Sequence, residues 1–417
     1  MRLLWMFGFG IFSWVAEAAT ELQHGLWYQQ GQFVAQTWYE VDGKLTRNKP
    51  AQIRQTLDLN GGYVVPPFAE AHNHNLQNPW LVQNFHQRYL QDGVLYGLMM
   101  CGNHGNDQAT KQALAQLPMS IDSVGACISS SDGHPLRLAV KAAPGQPDLQ
   151  PAQVYDSAYI VMDTPADIAK KWPLFKDTKA RWVKIILVHS EQPQRRTDKQ
   201  LFGLNGLAPE VVRPLVSFLH QQGLKVTAHV ESAADFALAV EAGVDLIAHL
   251  PGYQWWQGYA PALYRLSDAS IAMAAQKQIA VIATAGISAV FYQKEQDKLP
   301  AVQALQRDNL QRLKQAGVQV LVGSDRFDAN VLAEVNYLQQ MGVYSNAELL
   351  QLLVSDTPRF LFPGRAIGAL AEGHEANLLV LHDNPLKNWQ ALSDIQLRMW
   401  QGKVIQLPPK EKSASPQ

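Results

Sequence analysis

The sequence predicts an α/β protein in which a (β/α)8 TIM-like barrel is joined to a small β-sandwich domain. Between about residues 61 and 354, eight short runs rich in β-forming residues alternate with helical stretches, as is typical of this barrel. Hairpin-like patterns flank that region on both sides. With 417 residues, 47% of them hydrophobic, the chain can bury one large core and a second, smaller one.

The first eighteen residues are predicted to be a signal peptide outside the fold. Arg2 gives a short positive start, residues 3–15 are apolar, and residues 16–18 (Ala-Glu-Ala) form a small-x-small cleavage pattern. A retained N-terminal anchor is the alternative, although this apolar run is too short to span a bilayer. We therefore expect an exported protein, periplasmic or secreted, with no membrane association in its mature form.

Residues 19–62 and 364–407 are predicted to fold together as the β-sandwich. Residues 31–39 are rich in β-formers and are followed by a turn at Asp42-Gly43, while residues 377–381 give the clearest strand of the second flank. Residues 408–417 are rich in Pro, Lys and Ser and are predicted to be a disordered tail.

The barrel is predicted over residues 63–363. Its strands are expected at residues 63–65, 95–100, 124–128, 183–188, 225–228, 246–248, 279–283 and 318–322. Amphipathic patterns predict helices at residues 209–222, 233–242 and 301–316. Gly223, Gly243 and Gly317 each fall between a predicted helix and the next strand, as glycines that end helices do.

Charge and cysteine content narrow the class of protein. The net charge is −1 and there is no basic stripe, which excludes a nucleic-acid partner and leaves a small molecule as the expected ligand. Cys101 and Cys127 could pair in an oxidising compartment or remain two buried thiols. A homo-oligomer is compatible with this composition.

The pair His72-x-His74 is the most informative motif. A strand places residues i and i+2 on the same face, so two imidazoles would point together at a strand end, where one metal ion could bind both. Such a pair can arise by chance in a chain with 12 His, so its meaning depends on residues further along the chain.

Four further residues sit in or at the ends of predicted strands. Lys184 lies inside the fourth run, His229 and His249 end the fifth and sixth, and Asp325 follows the eighth. Each has an ordinary alternative: a salt-bridged lysine, two hydrogen-bonded core histidines and a helix N-cap. Together with the histidine pair they form a set of ligands suited to zinc or a similar ion, at the strand ends where barrel enzymes place their chemistry.

This order of residues resembles the amidohydrolase superfamily, in its two-metal branch with a carboxylated lysine. Residues 368–380 also resemble its C-terminal G-x-L-x-x-G-x-x-A-D-L-V-V segment, and the Gly133-His134 pair is similar to one in the imidazolonepropionase-like and Xaa-Pro dipeptidase-like subgroup. The chain departs from that subgroup at Pro67, where Gly is usual, and at Glu70 and Asn377, where Asp is usual.

The resemblance implies a hydrolase that acts on an amide, peptide or cyclic amide bond. His72, His74 and Asp325 would hold one divalent metal ion, most simply Zn²⁺, and His229 and His249 a second one. A carbamate formed from Lys184 and CO₂ would bridge the two ions together with a hydroxide. Asp325 would be the catalytic residue, acting as general base and then as general acid.

Substrate contacts are expected from loops that follow the strands, with His104, His134 and Tyr253 as candidates; exposed loop residues or packing side chains are the alternative.

Three other functions stay open. The same site could hydrolyse lactones or other esters. A deaminase would not need Lys184, and a binding protein would not need the whole ligand set.

Overall fold

A computed structural model of the chain describes residues 19–408, apart from residues 103–104, 106, 143–144, 175, 177 and 179. The predicted signal peptide lies outside the described residues, as does the predicted tail except for Pro408. Within the described part, no helix combines the length and the apolar character that a membrane crossing requires.

Strands and short helices alternate along most of the described chain. The strands are β1 (Ala19–Gln29), β2 (Gln32–Val41), β3 (Lys44–Thr46), β4 (Ile53–Asp58), β5 (Tyr63–Val65), β6 (Phe68–Asn73), β7 (Val94–Met99), β8 (Ser120–Ser123), β9 (Ile128–Ser129), β10 (Ile160–Val161), β11 (Trp182–Ile186), β12 (Lys225–His229), β13 (Leu246–Ile247), β14 (Ala280–Ile282), β15 (Val320–Leu321), β16 (Leu378–Leu381), β17 (Ile395–Trp400) and β18 (Lys403–Val404). The α-helices are α1 (Pro79–Gln91), α2 (Asp107–Leu114), α3 (Leu136–Ala139), α4 (Pro151–Val154), α5 (Asp167–Lys171), α6 (Pro209–Gln221), α7 (Ala233–Ala242), α8 (Asp268–Gln276), α9 (Ser288–Phe291), α10 (Leu299–Gln315), α11 (Val331–Met341), α12 (Asn346–Gln351) and α13 (Thr357–Leu361).

Strands from both flanks of the chain share one eight-stranded sheet, in the order β18-β17-β16-β5-β1-β2-β3, with β4 also paired to β1. Its core includes Trp27 and Trp38, whose ring centroids lie 5.4 Å apart. The sandwich predicted for these flanks therefore takes the form of a single hydrogen-bonded sheet. The link is β5, which pairs in parallel with β1 and antiparallel with β16. The prediction that residues 63–65 form the first barrel strand was wrong, because their hydrogen bonds join the flanks.

The remaining strands form two parallel sheets, β6-β7-β8 and β10-β9-β11-β12-β13-β14-β15. The first strand of this region is β6, which contains His72 and is followed directly by His74. Backbone hydrogen bonds connect its neighbourhood to the segment after β15: Ala71 N donates to Val322 O over 2.9 Å, and Asp325 N donates to His72 O over 2.8 Å. The first and last parallel strands of the region are therefore neighbours, although about 250 residues separate them along the chain.

The prediction of an α/β fold with parallel strands is confirmed. Strands β11, β12, β13, β14 and β15 overlap the runs expected there, and the three predicted helices are found as α6, α7 and α10. Gly223, Gly243 and Gly317 have positive φ angles of 77°, 82° and 74°, the left-handed backbone with which glycine ends a helix.

Cys101 and Cys127 form a disulfide, with their Cα atoms 5.5 Å apart. Pairing is thus the alternative that the structure adopts. The bond joins the segment after β7 to the residue before β9, and it packs against Ile186, Val188 and Trp256.

Candidate metal centre

The six predicted ligands meet at the carboxyl ends of the parallel strands. His72 lies in β6, Lys184 in β11 and His229 at the last position of β12. His74, His249 and Asp325 lie in the segments that follow β6, β13 and β15. Because parallel strands end at one edge, residues from five separate stretches of the chain reach one place.

Asp325 is the centre of this group. Its Oδ1 lies 3.4 Å from His72 Nε2 and 3.2 Å from His74 Nε2, and its Oδ2 lies 3.8 Å from His249 Nε2. Lys184 Nζ lies 3.3 Å from His72 Nε2. The ring centroid of His229 lies 4.5 Å from that of His249. The ligand atoms of His72, His249 and Asp325 are close enough to one another to share a single cation.

Each of the four histidines uses one ring nitrogen in a hydrogen bond within the protein. The pairs are His72 Nδ1 with Ala248 O at 2.8 Å, His74 Nδ1 with Gln77 Oε1 at 2.7 Å, His249 Nδ1 with Thr284 Oγ1 at 3.1 Å, and His229 Nε2 with Glu231 Oε1 at 3.0 Å. Such bonds fix the orientation of an imidazole and leave its second nitrogen available. That second nitrogen is Nε2 in three of the rings and Nδ1 in His229.

The charges in the site also suit a cation. Burial lowers the pKa of His72 and of His249 well below the ordinary value, so both are neutral imidazoles, the form that binds metal. Burial alone would raise the pKa of Asp325, but the hydrogen bond with His74 helps to hold it well below its usual range. Burial lowers the pKa of Lys184 to about 8. Near neutral pH, part of this lysine is a neutral amine.

Two local features bring Asp325 to its position. Its own φ is +49°, a left-handed conformation that non-glycine residues seldom adopt and that clusters at functional sites. Two residues earlier, Gly323 lies so close to β6 that an added Cβ would be 2.5 Å from His72 N. Only glycine allows this approach of the two strands.

Glu70 links β6 to the segment after β15 through hydrogen bonds. Its Oε1 accepts hydrogen bonds from Ser324 N at 2.8 Å and His72 N at 3.2 Å, and its Oε2 accepts from Ser324 Oγ at 2.7 Å. Burial raises the pKa of Glu70 to about 7, although these hydrogen bonds act in the opposite direction. Each bond partner is a ligand or the neighbour of a ligand, so Glu70 fixes the relative positions of His72 and Asp325.

Glu231 supports the other side of the site. Besides His229 Nε2, it accepts hydrogen bonds from the Tyr253 hydroxyl and, over 3.3 Å, from Trp256 Nε1. Burial would raise the pKa of Glu231, but the bonds with His229 and Tyr253 hold it below the ordinary value. Glu231 is thus an ionised carboxylate that orients His229.

Two of the three predicted substrate-contacting residues lie beside the ligands. The ring of His134 stacks on His229 with centroids 5.3 Å apart and planes 19° apart, and the ring of Tyr253 lies 5.0 Å from His249. Burial lowers the pKa of His134 to about 3, which makes this side chain neutral. His104 lies outside the described residues.

Sequence reasoning missed the residues that hold the ligands in place: Gln77, Thr284 and Glu231. The sequence does contain a signal for Glu231, because this residue follows His229 at i+2, the spacing of residues on one face of an extended segment. It contains none for Gln77 and Thr284, because their contacts depend on how loops fold back on the strand ends.

The arrangement offers four imidazoles with one available nitrogen each, a carboxylate and a partly neutral lysine. These donor types and their supporting hydrogen bonds fit Zn²⁺ or a similar divalent ion. His72, His74 and Asp325 would hold one ion. His229 and His249 are the other two imidazoles, with ring centroids 4.5 Å apart, and Lys184 lies beside His72.

Comparisons with known proteins find a likeness in sequence over part of the chain and a likeness in fold over nearly all of it. No family model matches the chain. Ochratoxinase from Aspergillus niger is 23% identical over 207 residues, a match that covers 47% of this chain and only 40% of the ochratoxinase sequence.

Solved structures match over nearly the whole chain. The crystal structure of A. niger ochratoxinase gives a TM-score of 0.72 at 17% identity, covering 93% of this chain and 95% of that one. An amidohydrolase crystal structure gives 0.71 at 17% identity, with 94% and 100% covered. A Xaa-Pro dipeptidase with bound methionine gives 0.71 at 16% identity, with 93% and 100% covered. The fold is that of these proteins, and the predicted resemblance to the amidohydrolase superfamily is confirmed at that level.

Proposed function

We propose that the protein is a metal-dependent hydrolase of the amidohydrolase superfamily that cleaves an amide, peptide or cyclic amide bond. The observation that carries the proposal is the convergence of three imidazole Nε2 atoms on Asp325, with Lys184 Nζ 3.3 Å from one of them. A cluster with only a structural role has no need to place so many potential metal-binding atoms around one carboxylate. The fold shared with an amidohydrolase, ochratoxinase and a Xaa-Pro dipeptidase supports it.

The proposal includes a closed (β/α)8 barrel and a site for two ions. The hydrogen bonds between β6 and the segment after β15 support closure. A carbamate on Lys184 would supply the negative charge that two neighbouring cations need. Its formation requires a neutral amine, which the lowered pKa of Lys184 supports. Divalent ions bound here would lower the pKa of a water molecule and polarise the scissile carbonyl.

The protein's own groups would have distinct roles. Asp325 would accept a proton from the attacking water and deliver it to the leaving nitrogen. Glu231 would hold His229 in place, and Glu70 would hold the strand that carries His72. His134 and Tyr253 lie close enough to the ligands to touch a small-molecule substrate.

Export to the periplasm or the medium is part of the same proposal. The signal-peptide pattern of residues 1–18 motivates it, and the Cys101–Cys127 disulfide supports it, because such bonds persist in oxidising compartments.

The test is hydrolysis by the Zn²⁺-loaded protein of dipeptides, N-acyl amino acids and lactones. We expect amide cleavage, and we expect Asp325→Asn to lower kcat by about 100-fold or more. Asp268→Asn is the matched control, because this exposed carboxylate pairs with Arg312 and with no proposed ligand. An Asp325→Asn protein with full turnover would remove the proposed role of Asp325. Metal binding without turnover of any substrate would favour a binding protein.

A further inference from the structure

The exposed large apolar side chains of the described residues lie outside the eight-stranded sheet. Six of the seven lie in connections between parallel strands and the seventh, Phe327, follows β15; they are Trp80, Leu138, Leu149, Phe202, Val290, Phe291 and Phe327. Leaving phenyl and indole rings in water forgoes the stabilisation that burial would give. A contiguous exposed apolar patch commonly marks a surface where another molecule binds.

Phe327 is the most telling of these residues. It follows Asp325 by two positions, and its ring stacks on that of His74 with centroids 5.7 Å apart and planes 25° apart. Yet 60% of Phe327 remains exposed. One face of the ring therefore rests on a proposed metal ligand while much of the rest is open.

The charges next to Phe327 are already satisfied. Arg326 and Asp328, its two chain neighbours, pair with each other through bonds of 2.9 and 2.6 Å. A bidentate pair of this kind leaves no free charge to attract an ionic group. The surface offered here is apolar rather than charged.

Phe291 provides a second exposed apolar ring. It contacts Tyr253, which in turn contacts another proposed ligand, His249. Phe291 is 46% exposed, and its centroid lies 5.9 Å from that of Tyr253, which in turn lies 5.0 Å from His249. Phe291 follows β14 and Phe327 follows β15, so the two exposed rings come from separate segments of the chain.

We infer that the substrate of this site is an amide that carries an apolar ring, which packs against Phe327 and Phe291. The inference rests on the proposed function and names its substrate class: dipeptides or N-acyl amino acids with an aromatic side chain. Phe327 and Phe291 are specificity-determining residues, and they take no part in bond cleavage.

The experiment compares four dipeptides, Ala-Ala, Phe-Ala, Ala-Phe and Phe-Phe, with the Zn²⁺-loaded full-length protein. We expect kcat/KM to be at least about tenfold higher for a ring-bearing dipeptide than for Ala-Ala. Phe327→Ala should lower kcat/KM for the ring-bearing dipeptides by about 3- to 10-fold more than for Ala-Ala, and this difference should appear in KM. Phe291→Ala should lower kcat/KM in the same way for those dipeptides whose ring lies against Phe291.

Phe202→Ala is the matched control, because Phe202 is also 46% exposed and has no ring contact with any proposed ligand. It should leave the order of the four substrates unchanged. Phe327→Leu, which keeps an apolar side chain, should recover part of the loss.

Three results would overturn the inference: equal kcat/KM for all four dipeptides, an equal loss on all four in Phe327→Ala, or a change of oligomeric state in Phe327→Ala with unaltered specificity. The last result would make this surface an interface between copies of the chain. If no amide is cleaved at all, the proposed function fails, and binding decides the inference. Phe-Phe must then raise the Tm of the wild type more than Ala-Ala does, and the difference must vanish in Phe327→Ala.

Discussion

Two His-x-Glu pairs lie at or after the ends of neighbouring strands of the parallel sheet, and they differ in what the histidine faces. At the end of β12, His229 pairs with Glu231 at 3.0 Å; after β11, His189 pairs with Glu191 at 3.0 Å. The ring of His229 lies against the proposed ligand His249. His189 is instead surrounded by the rings of Trp256, Tyr259 and Tyr264, at centroid distances of 5.8, 4.4 and 5.8 Å.

The same local motif thus serves two purposes. His229 is the last residue of β12, so the alternation of side chains along the strand sets the direction of its ring. His189 comes after the end of β11 with a φ of +46°, which turns the chain away, and its Nε2 has no hydrogen-bond partner among the described residues. The same pattern therefore places one histidine beside a proposed ligand and the other among aromatic rings.

The sharpest test replaces the two histidines in parallel. His229→Asn should lose one metal ion and reduce kcat by about 1000-fold, because a ligand is gone. His189→Asn should retain both ions, since Asn tolerates a positive φ and His189 faces aromatic rings. Metal content and kcat measured side by side check this. Equal loss in both variants would show that the two pairs do not differ in function.

A smaller effect is expected from the carboxylates. Glu231→Gln should weaken binding of the metal held by His229 by about 10- to 100-fold, the usual effect of losing a residue that orients a ligand. Glu191→Gln is the matched control and should leave metal affinity unchanged. The bonds to His229 and His189 hold the pKa of both carboxyls below the ordinary value against the effect of burial, so both pairs are intact at pH 7. Chelator competition at that pH measures the difference.

The smallest effect on the site is expected from replacing Arg195, which packs against a residue that contacts both His-x-Glu pairs. Arg195 is buried, its guanidinium carbon lies 4.6 Å from the ring centroid of Trp256, and it donates a 2.6 Å hydrogen bond to the Tyr259 hydroxyl. Trp256 packs against His189 and donates to Glu231, so it contacts both pairs.

Arg195→Met should therefore lower the free energy of unfolding by about 2 kcal/mol through lost hydrogen bonds, with metal content retained. Urea denaturation of the metal-loaded protein measures this. Arg54→Met, at an exposed position on β4, should change stability little. Loss of metal from Arg195→Met at full stability would mean that Arg195 acts on the site itself.

The sequence predicted which residues gather at the strand ends better than it predicted the residues around them. His72, His74, Lys184 and His229 lie in or directly after strands, where the two-residue period decides which way a side chain points. The strands β11 and β12 were therefore enough to place Lys184 and His229. Gly323 also belongs to a strand end, but its closeness to His72 involves a partner about 250 residues away.

What could not be predicted depends on packing between distant segments. The contact of Thr284 with His249 needs a loop after β14 to meet one after β13, and residues 63–65 look like a barrel strand until their partners β1 and β16 are known. Nothing in the two His-x-Glu patterns distinguishes Glu231 from Glu191, because the end of each strand is set by the fold.

The central claim, a metal centre that depends on Lys184, is tested most directly by the metal content of the purified protein. Elemental mass spectrometry should find about two divalent ions per chain in the wild type and in Lys403→Ala, which alters an exposed lysine of β18, and clearly fewer in Lys184→Ala. A wild type that holds no metal after incubation with Zn²⁺, or a Lys184→Ala protein with the full content, would contradict it.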